Sequence, residues 1–313
     1  MAGKTPAGLV QKSLKSIRRG LRSLVLDPTT DGALRELVHA HRTGGGPASS
    51  PVAAPPPGPS PAEQQARLEA RYYLERYGLP LRMFFQVQDD LVSMIGADSY
   101  YAREYRPWEH WREIAVIDWV YEHCTRDRAT LGKVLDIGPA YGTFLAFVRR
   151  LCPDAELHAY DLLETYMPPR LPVRDRIRCH RGNIELDAFP TDDKFDLILF
   201  TEVLEHLNFY AAPTLAKIGS LLTPDGILYM TTPNRTHHGL RDKYYPSHKA
   251  FPKPVDVPAD FTWVDDHTWH WSAPEIEEVV AEAGLEVVRF EAVYSSLDGP
   301  TGAHLDYALR RRR

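Results

Sequence analysis

From Gly132 onward the chain alternates short apolar runs with longer stretches in which apolar residues recur every three or four positions. The short runs read as buried strands and the longer stretches as amphipathic helices, and their alternation predicts a doubly wound α/β sheet. Five strands are expected at 133–137, 156–160, 176–179, 195–200 and 226–231, followed by two more at 285–294 and 304–309. One intervening helix carries Phe144, Leu145, Phe147, Val148 and Leu151, and a last one is expected at 274–283. Before the sheet, residues 62–127 place Leu68, Tyr72, Leu81, Ile114, Ile117 and Val120 in helical spacing and are dense in aromatics. Most of those aromatics are expected to pack between helices.

The first 61 residues follow a different pattern. Val10, Leu14, Ile17, Leu21 and Leu24 form one stripe, with Lys12, Lys15, Arg18, Arg19 and Arg22 off it. That is a basic amphipathic helix, suited to packing on its own protein, on a partner subunit, on nucleic acid or on an anionic membrane surface. Residues 43–61 then turn to Gly, Pro, Ala and Ser, a composition that buries no core and predicts a flexible linker. The expected division is therefore a helical extension at 1–42, a linker at 43–61, a helical cap over 62–128 and the α/β domain over 129–313, with an insert at 235–263.

A length of 313 residues with 43% hydrophobic content supplies a real core. The net charge of −5 argues against a dedicated nucleic-acid binder. Cys124, Cys152 and Cys179 stand far apart with no CxxC pair, which predicts no disulfide framework and a reducing, cytoplasmic setting. No apolar run reaches the length of a membrane span, and residues 1–30 lack a signal-peptide pattern.

The candidate chemistry starts where the first strand ends, in Asp136-Ile137-Gly138-Pro139-Ala140-Tyr141-Gly142. Gly138 can take a positive φ, and Gly142 opens a helix whose free N–H groups favour an anionic group. The spacing is neither the G-x-G-x-x-G of a dinucleotide fold nor the Gly-Lys-Ser/Thr of a nucleotide triphosphatase. Asp161 follows at the end of the second strand, where a carboxylate can accept from both hydroxyls of a ribose. Later come Gly182-Asn183-Ile184, Phe195-Asp196-Leu197-Ile198 leading into Thr201-Glu202-Val203-Leu204-Glu205-His206, and Leu221-Leu222-Thr223-Pro224-Asp225-Gly226.

Over residues 130–295 these motifs, in this order and separation, resemble the class I S-adenosylmethionine-dependent methyltransferases, in the branch with E-V-L-E-H after strand four. The resemblance implies a Rossmann-like seven-stranded sheet with an antiparallel end. It implies that Asp136, Gly138, Pro139 and Gly142 hold S-adenosylmethionine together with Asp161 and Leu162, Asn183 and Ile184 at the adenine, and Thr201. Many relatives carry Asp where this chain has Asn183.

Methyl transfer from a sulfonium is an in-line displacement, and a hydroxyl acceptor must also lose a proton. Glu202, Glu205 and His206 stand at i, i+3 and i+4, one face if the segment is helical. Asp265-Asp266-His267-Thr268-Trp269-His270 precedes the last helix. Glu202, Glu205, His206 and His267 resemble the metal site of enzymes that methylate a terminal RNA ribose. One reading is a bound Mg²⁺ or Mn²⁺. The other is catalysis by His206 or His267 as general base with Glu202 beside it, or pocket hydrogen bonding alone. The insert, with His237, His238, Tyr244, Tyr245 and His248, is read as a substrate lid or as a surface loop.

The expected function is O-methylation of a small-molecule acceptor such as a sugar or specialised metabolite. Two rivals stand beside it: an RNA ribose 2′-O-methyltransferase, and a catalytically silent cofactor-binding scaffold acting through the basic helix.

Overall fold

The computed structural model describes the backbone of residues 61–126, 131–162, 166–255, 257, 261–293 and 302–312. The expected basic helix at 8–25 and residues 43–60 of the expected linker lie outside the described residues, and Pro61, the last residue of that linker, already belongs to a helix. The chain divides into two units, Met1–Arg76 and Tyr77–Arg313. In the first, the described backbone from residue 61 is helical.

Helix α1 (Pro61–Ile95) has one non-helical residue, Gly78, at φ 27° and ψ −105°. It sits two positions before Pro80, which has no N–H for the ladder and whose ring crowds the preceding turn. A π-turn (Tyr101–Tyr105), α2 (Arg106–Arg112) and α3 (Ile114–Arg126) complete the helical stretch expected before the sheet. Pro107 starts α2 where a missing N–H costs nothing.

The sheet has β1 (Lys133–Ile137), β2 (Glu156–Asp161), β3 (Ile177–Arg181), β4 (Phe195–Thr201), β5 (Leu222–Pro233), β6 (Leu285–Val293) and β7 (His304–Arg311). Their spatial order is β3-β2-β1-β4-β5-β7-β6. Neighbours from β3 through β5 are parallel, and β7 runs antiparallel between β5 and β6. This is the Rossmann-like seven-stranded sheet with an antiparallel end that the motifs implied.

Helices α4 (Thr143–Leu151), α5 (Arg170–Asp175), α6 (Ala211–Ser220), α7 (Arg235–His238) and α8 (Ala273–Glu282) fill the connections. The central strands are buried on both faces, so they read as continuous apolar runs. On one face Ile198, Phe200 and Met230 share a core with Leu215 and Ile218 of α6 and Ile276 and Val280 of α8. On the other, Trp119 of α3 meets Tyr229 of β5 at 5.7 Å between rings, and Phe84 of α1 meets Phe147 of α4 at 5.4 Å. Each such fully buried side chain contributes about 1.5–3 kcal/mol.

One strand starts earlier than its apolar pattern indicates. β5 opens at Leu222, which pairs with Phe195, and the ladder shifts before Leu197 pairs with Ile227. Pro224, Asp225 and Gly226 lie in that irregularity, and their polar and imino character hides the strand start from a hydrophobicity reading.

The β1–α4 turn shows why glycine is needed. Gly138 has φ +71°, and a Cβ there would come within 2.5 Å of Val203 Cγ2. Gly142, at φ +76°, caps α4, and its N–H donates to Pro139 O at 2.7 Å. Gly138→Ala is expected to cost about 2 kcal/mol of stability, from left-handed backbone strain plus overpacking. Urea unfolding checks this, and an unchanged midpoint would mean that the turn tolerates a side chain.

Candidate active site

β1 and β4 are adjacent in the sheet, and their connections leave on opposite sides; that switch point is where doubly wound sheets bind ligands. A cavity of about 470 Å³ opens there. Gly138 from the end of β1, Asp161 and Leu162 from β2, Asn183 and Ile184 after β3, and Thr201 from β4 all line it. Of the nine residues expected at the cofactor, six are therefore in the wall. Asp136 is 2% exposed behind the turn, and Pro139 and Gly142 shape the turn without lining the cavity. Burial pushes the Asp136 carboxyl well above the usual carboxylate range, with the Asp161 charge adding to the shift.

Asn183 Oδ1 accepts from Glu185 N at 2.8 Å, and its own N–H donates to Asp187 Oδ2 at 2.7 Å. Glu185 in turn holds the next loop, accepting from Asn208 N at 3.0 Å and Phe209 N at 2.8 Å. The end of β3 and the segment after β4 thus form one hydrogen-bonded wall.

The segment after β4 is not α-helical. Glu202 adopts φ +54°, and Leu204–His206 forms a single 3₁₀ turn. Positive φ at a non-glycine residue is strained and requires outside support. The Glu202 N–H supplies some of it by donating to Thr231 O at 3.1 Å. Glu202 consequently parts from Glu205 and His206, and the expected four-residue group loses it.

Glu202 turns to the sheet. Its Oε1 accepts from Thr231 Oγ1 at 3.0 Å and meets His304 Nδ1 at 3.2 Å, while its Oε2 lies 3.8 Å from Arg112 Nη1. Burial would raise its pKa, but the His304 charge and hydrogen bond, then the Arg112 charge, hold it down to about 2. It is an ionised carboxylate in the cavity wall.

Glu205, His206 and His267 come together instead, with a ligating atom of each within 4.8 Å of the others. Glu205 Oε2 accepts from Thr232 Oγ1 at 3.0 Å, and its buried Oε1 has no hydrogen-bond partner among the described residues. Burial, then the Glu202 charge, pushes the Glu205 carboxyl well above its ordinary range. Burial lowers the His206 pKa, and burial with the neighbouring imidazoles takes His267 down to about 4. Both rings are neutral at pH 7 and carry lone pairs.

The two chain segments are tied by backbone rather than by charge. Thr268 N donates to Glu205 O at 2.7 Å, and Thr268 Oγ1 donates to Leu207 O at 2.6 Å. Asn208 bonds both backbone groups of Val264, at 2.8 and 2.9 Å.

A carboxylate with a spare buried oxygen and two neutral imidazoles is a donor set that fits a divalent cation. Glu156, His158 and Asp193 form a second trio with ligating atoms within 4.8 Å of one another, but Lys133 and Arg178 already pair with its carboxylates.

The aromatics of the helical stretch divide. Tyr101 and Trp111 are core, whereas Tyr100 and Tyr105 join Tyr141, Tyr166 and Trp263 in the cavity wall. Sequence reasoning missed Arg112 and His304 altogether. Both sit about a hundred positions from Glu202, and the one signal for His304 was its place at the first residue of an apolar strand. In the insert, Arg241 Nη1 and Tyr244 OH bind Asp266 at 2.9 Å each, so its start is fastened beside His267.

A glycine turn at the switch point, a carboxylate at the end of β2 and ionisable groups from β4 and the segment before α8 thus line one cavity. A model of the methyltransferase-domain family matches residues 108–289, and the chain belongs to that family. It is a class I S-adenosylmethionine-dependent methyltransferase.

No curated protein matches the sequence. Among solved structures, an S-adenosylmethionine-dependent methyltransferase from Clostridium acetobutylicum is 14% identical, aligned over 68% of this chain and 96% of its own, at a TM-score of 0.47. The 1,6-didemethyltoxoflavin-N1-methyltransferase of Burkholderia thailandensis is 19% identical over 85% and 94%, at 0.44. Mitomycin 7-O-methyltransferase is 17% identical over 82% and 74%, at 0.42. The second is named for methylation at nitrogen and the third for methylation at oxygen. No helix among the described residues is long and apolar enough to cross a membrane.

Proposed function

We propose that the protein transfers a methyl group from S-adenosylmethionine to a hydroxyl of a small molecule, a sugar or other specialised metabolite, at a site where Glu205, His206 and His267 hold a divalent cation. The observation that carries this reading is the grouping of those three side chains within 4.8 Å in the cavity wall, with Glu205 Oε1 buried and unpartnered. A cation there replaces the proton that burial otherwise forces onto Glu205. Two imidazoles and one carboxylate favour Mn²⁺ over Mg²⁺, which prefers oxygen ligands.

The cofactor supplies an electrophilic methyl, and the cation supplies positive charge that lowers the pKa of an acceptor hydroxyl. The chain's own residues do the rest. Asp161 accepts from the ribose hydroxyls, and Asn183, its Oδ1 already engaged, offers Nδ2 to the adenine edge between Leu162 and Ile184. Glu202 keeps a fixed negative charge in the cavity wall, on a backbone bend that Thr231, His304 and Arg112 support. Tyr100, Tyr166 and Trp263 narrow the mouth and exclude water.

Asp161→Ala is expected to weaken S-adenosylmethionine binding roughly 10- to 100-fold, the loss of charge-assisted hydrogen bonds worth about 1.5–3 kcal/mol, with turnover at saturating cofactor little changed. Calorimetric titration against both proteins reads this directly.

The reading as a whole is tested by elemental analysis of the purified protein, followed by methyl transfer to polyol and sugar acceptors before and after chelation. One Mn²⁺ per chain, lost in Glu205→Gln together with activity, is the expected result. Full activity in metal-free protein would overturn the cation, and transfer to amines alone would overturn the hydroxyl.

A further inference from the structure

The insert begins by fixing the proton of a histidine in the active site. His270 Nδ1 lies 3.0 Å from the carbonyl oxygen of Gly239, the first residue past α7. A carbonyl only accepts, so His270 Nδ1 carries the hydrogen. In a neutral ring the other nitrogen, Nε2, then carries a lone pair. That Nε2 lies 3.2 Å from His267 Nδ1. Two lone pairs or two N–H groups facing each other at this distance would repel, so His267 Nδ1 must donate. The lone pair of His267 is thereby confined to Nε2.

We infer that His270 is a positioning residue that holds His267 in the Nδ1–H tautomer through a chain running from the Gly239 carbonyl, so that the backbone at the start of the insert decides which nitrogen of His267 is basic. This builds on the role proposed above for His267, although the tautomer itself does not depend on that role. In water a free imidazole favours the opposite tautomer, and a ring that ligates or accepts through Nε2 needs this kind of second contact to hold it. His270 is firmly held: the residue is 7% exposed, and its neighbours Trp269 and Trp271 are 2% exposed each. Thr268 N and Trp269 N both donate to Glu205 O, at 2.7 and 3.4 Å, so the 267–270 segment cannot slide relative to its partners.

The experiment is ¹⁵N imidazole spectroscopy of the full-length protein, with the His267 signals assigned by their loss in His267→Gln. The wild-type ring is expected to show a protonated Nδ1 and an unprotonated Nε2. His270→Gln keeps an oxygen acceptor near the Nε2 position and is expected to preserve that pattern. His270→Asn keeps only the donor toward Gly239 and is expected to release His267 to Nε2–H. Turnover should fall roughly 10- to 100-fold in His270→Asn, with the KM for S-adenosylmethionine unchanged, and recover in His270→Gln.

A wild-type His267 protonated on Nε2 overturns the inference whether or not any variant folds, as does a His267 tautomer indifferent to His270→Asn. If the tautomer follows His270 while turnover and Mn²⁺ affinity do not, the positioning holds and the proposed role of His267 fails.

Discussion

His267→Ala is expected to reduce methyl transfer roughly 10²- to 10⁴-fold while leaving S-adenosylmethionine affinity within a few fold of wild type. The ring belongs to the segment before α8 and not to the strand ends that carry Asp161 and Asn183, so its loss is expected to leave the contacts proposed for those two residues undisturbed. It removes one of two neutral imidazoles and leaves Glu205 with a single neighbour for a shared cation. Single-turnover transfer measured beside calorimetric cofactor titration separates the two effects. If transfer survives within threefold, the acceptor proton leaves by another route, and His206→Ala becomes the decisive variant. If cofactor affinity collapses as well, the side chain acts on the fold and not on the chemistry.

Glu202→Gln is expected to flatten the acid limb of the stability curve. The carboxyl is held at about 2 against an ordinary 4.5. A depressed acid contributes stability that is fully present above its unfolded value and is lost as pH falls through its folded value. The window is therefore pH 4.5 down to 2, and the contribution at neutral pH is roughly 3 kcal/mol. Urea unfolding at intervals from pH 7 to pH 2.5 should show the wild-type advantage shrinking across that window and vanishing near its lower end. Parallel curves for the two proteins would mean that His304 and Arg112 do not stabilise the charge. The same variant leaves Arg112 and His304 facing a neutral amide at every pH, as the protonated wild-type carboxyl does below that window, which is why the two curves converge there.

How much could be read in advance follows from where the information lies. Strand β1 matches its expected limits of 133–137 because a buried parallel strand bounded by Gly132 and Gly138 leaves its whole signature in consecutive residues. The place of six of the expected residues in the cavity wall was legible for a related reason: each stands at or just after a strand end, and the cavity opens at those strand ends. The segment from Glu202 to His206 was legible in chemistry and not in geometry. Its i, i+3, i+4 spacing suits a helix, but the backbone at Glu202 is bent by a hydrogen bond to Thr231 from another strand, which no local periodicity encodes. Arg112 and His304 left no local trace because their function is a contact with Glu202, made across the sheet. His270 was visible as an imidazole, yet its significance depends on a carbonyl 31 positions away.

The place of β7 carries a consequence for how the molecule assembles. It is the latest in sequence of the described strands, yet it lies inside the sheet between β5 and β6. It brings His304 to Glu202, and Pro233 of β5 pairs with that same residue. The parallel half, with the glycine turn, Asp161 and Asn183, rests on nearer neighbours in sequence. During synthesis or refolding that half can therefore form while β5 still exposes an unpaired edge, and the strained Glu202 bend lacks its His304 contact until β7 inserts. Pairings of such long sequence separation form late and slowly, so cofactor-binding competence should precede catalytic competence in time. The open edge of β5 in that interval is where a stalled chain would aggregate.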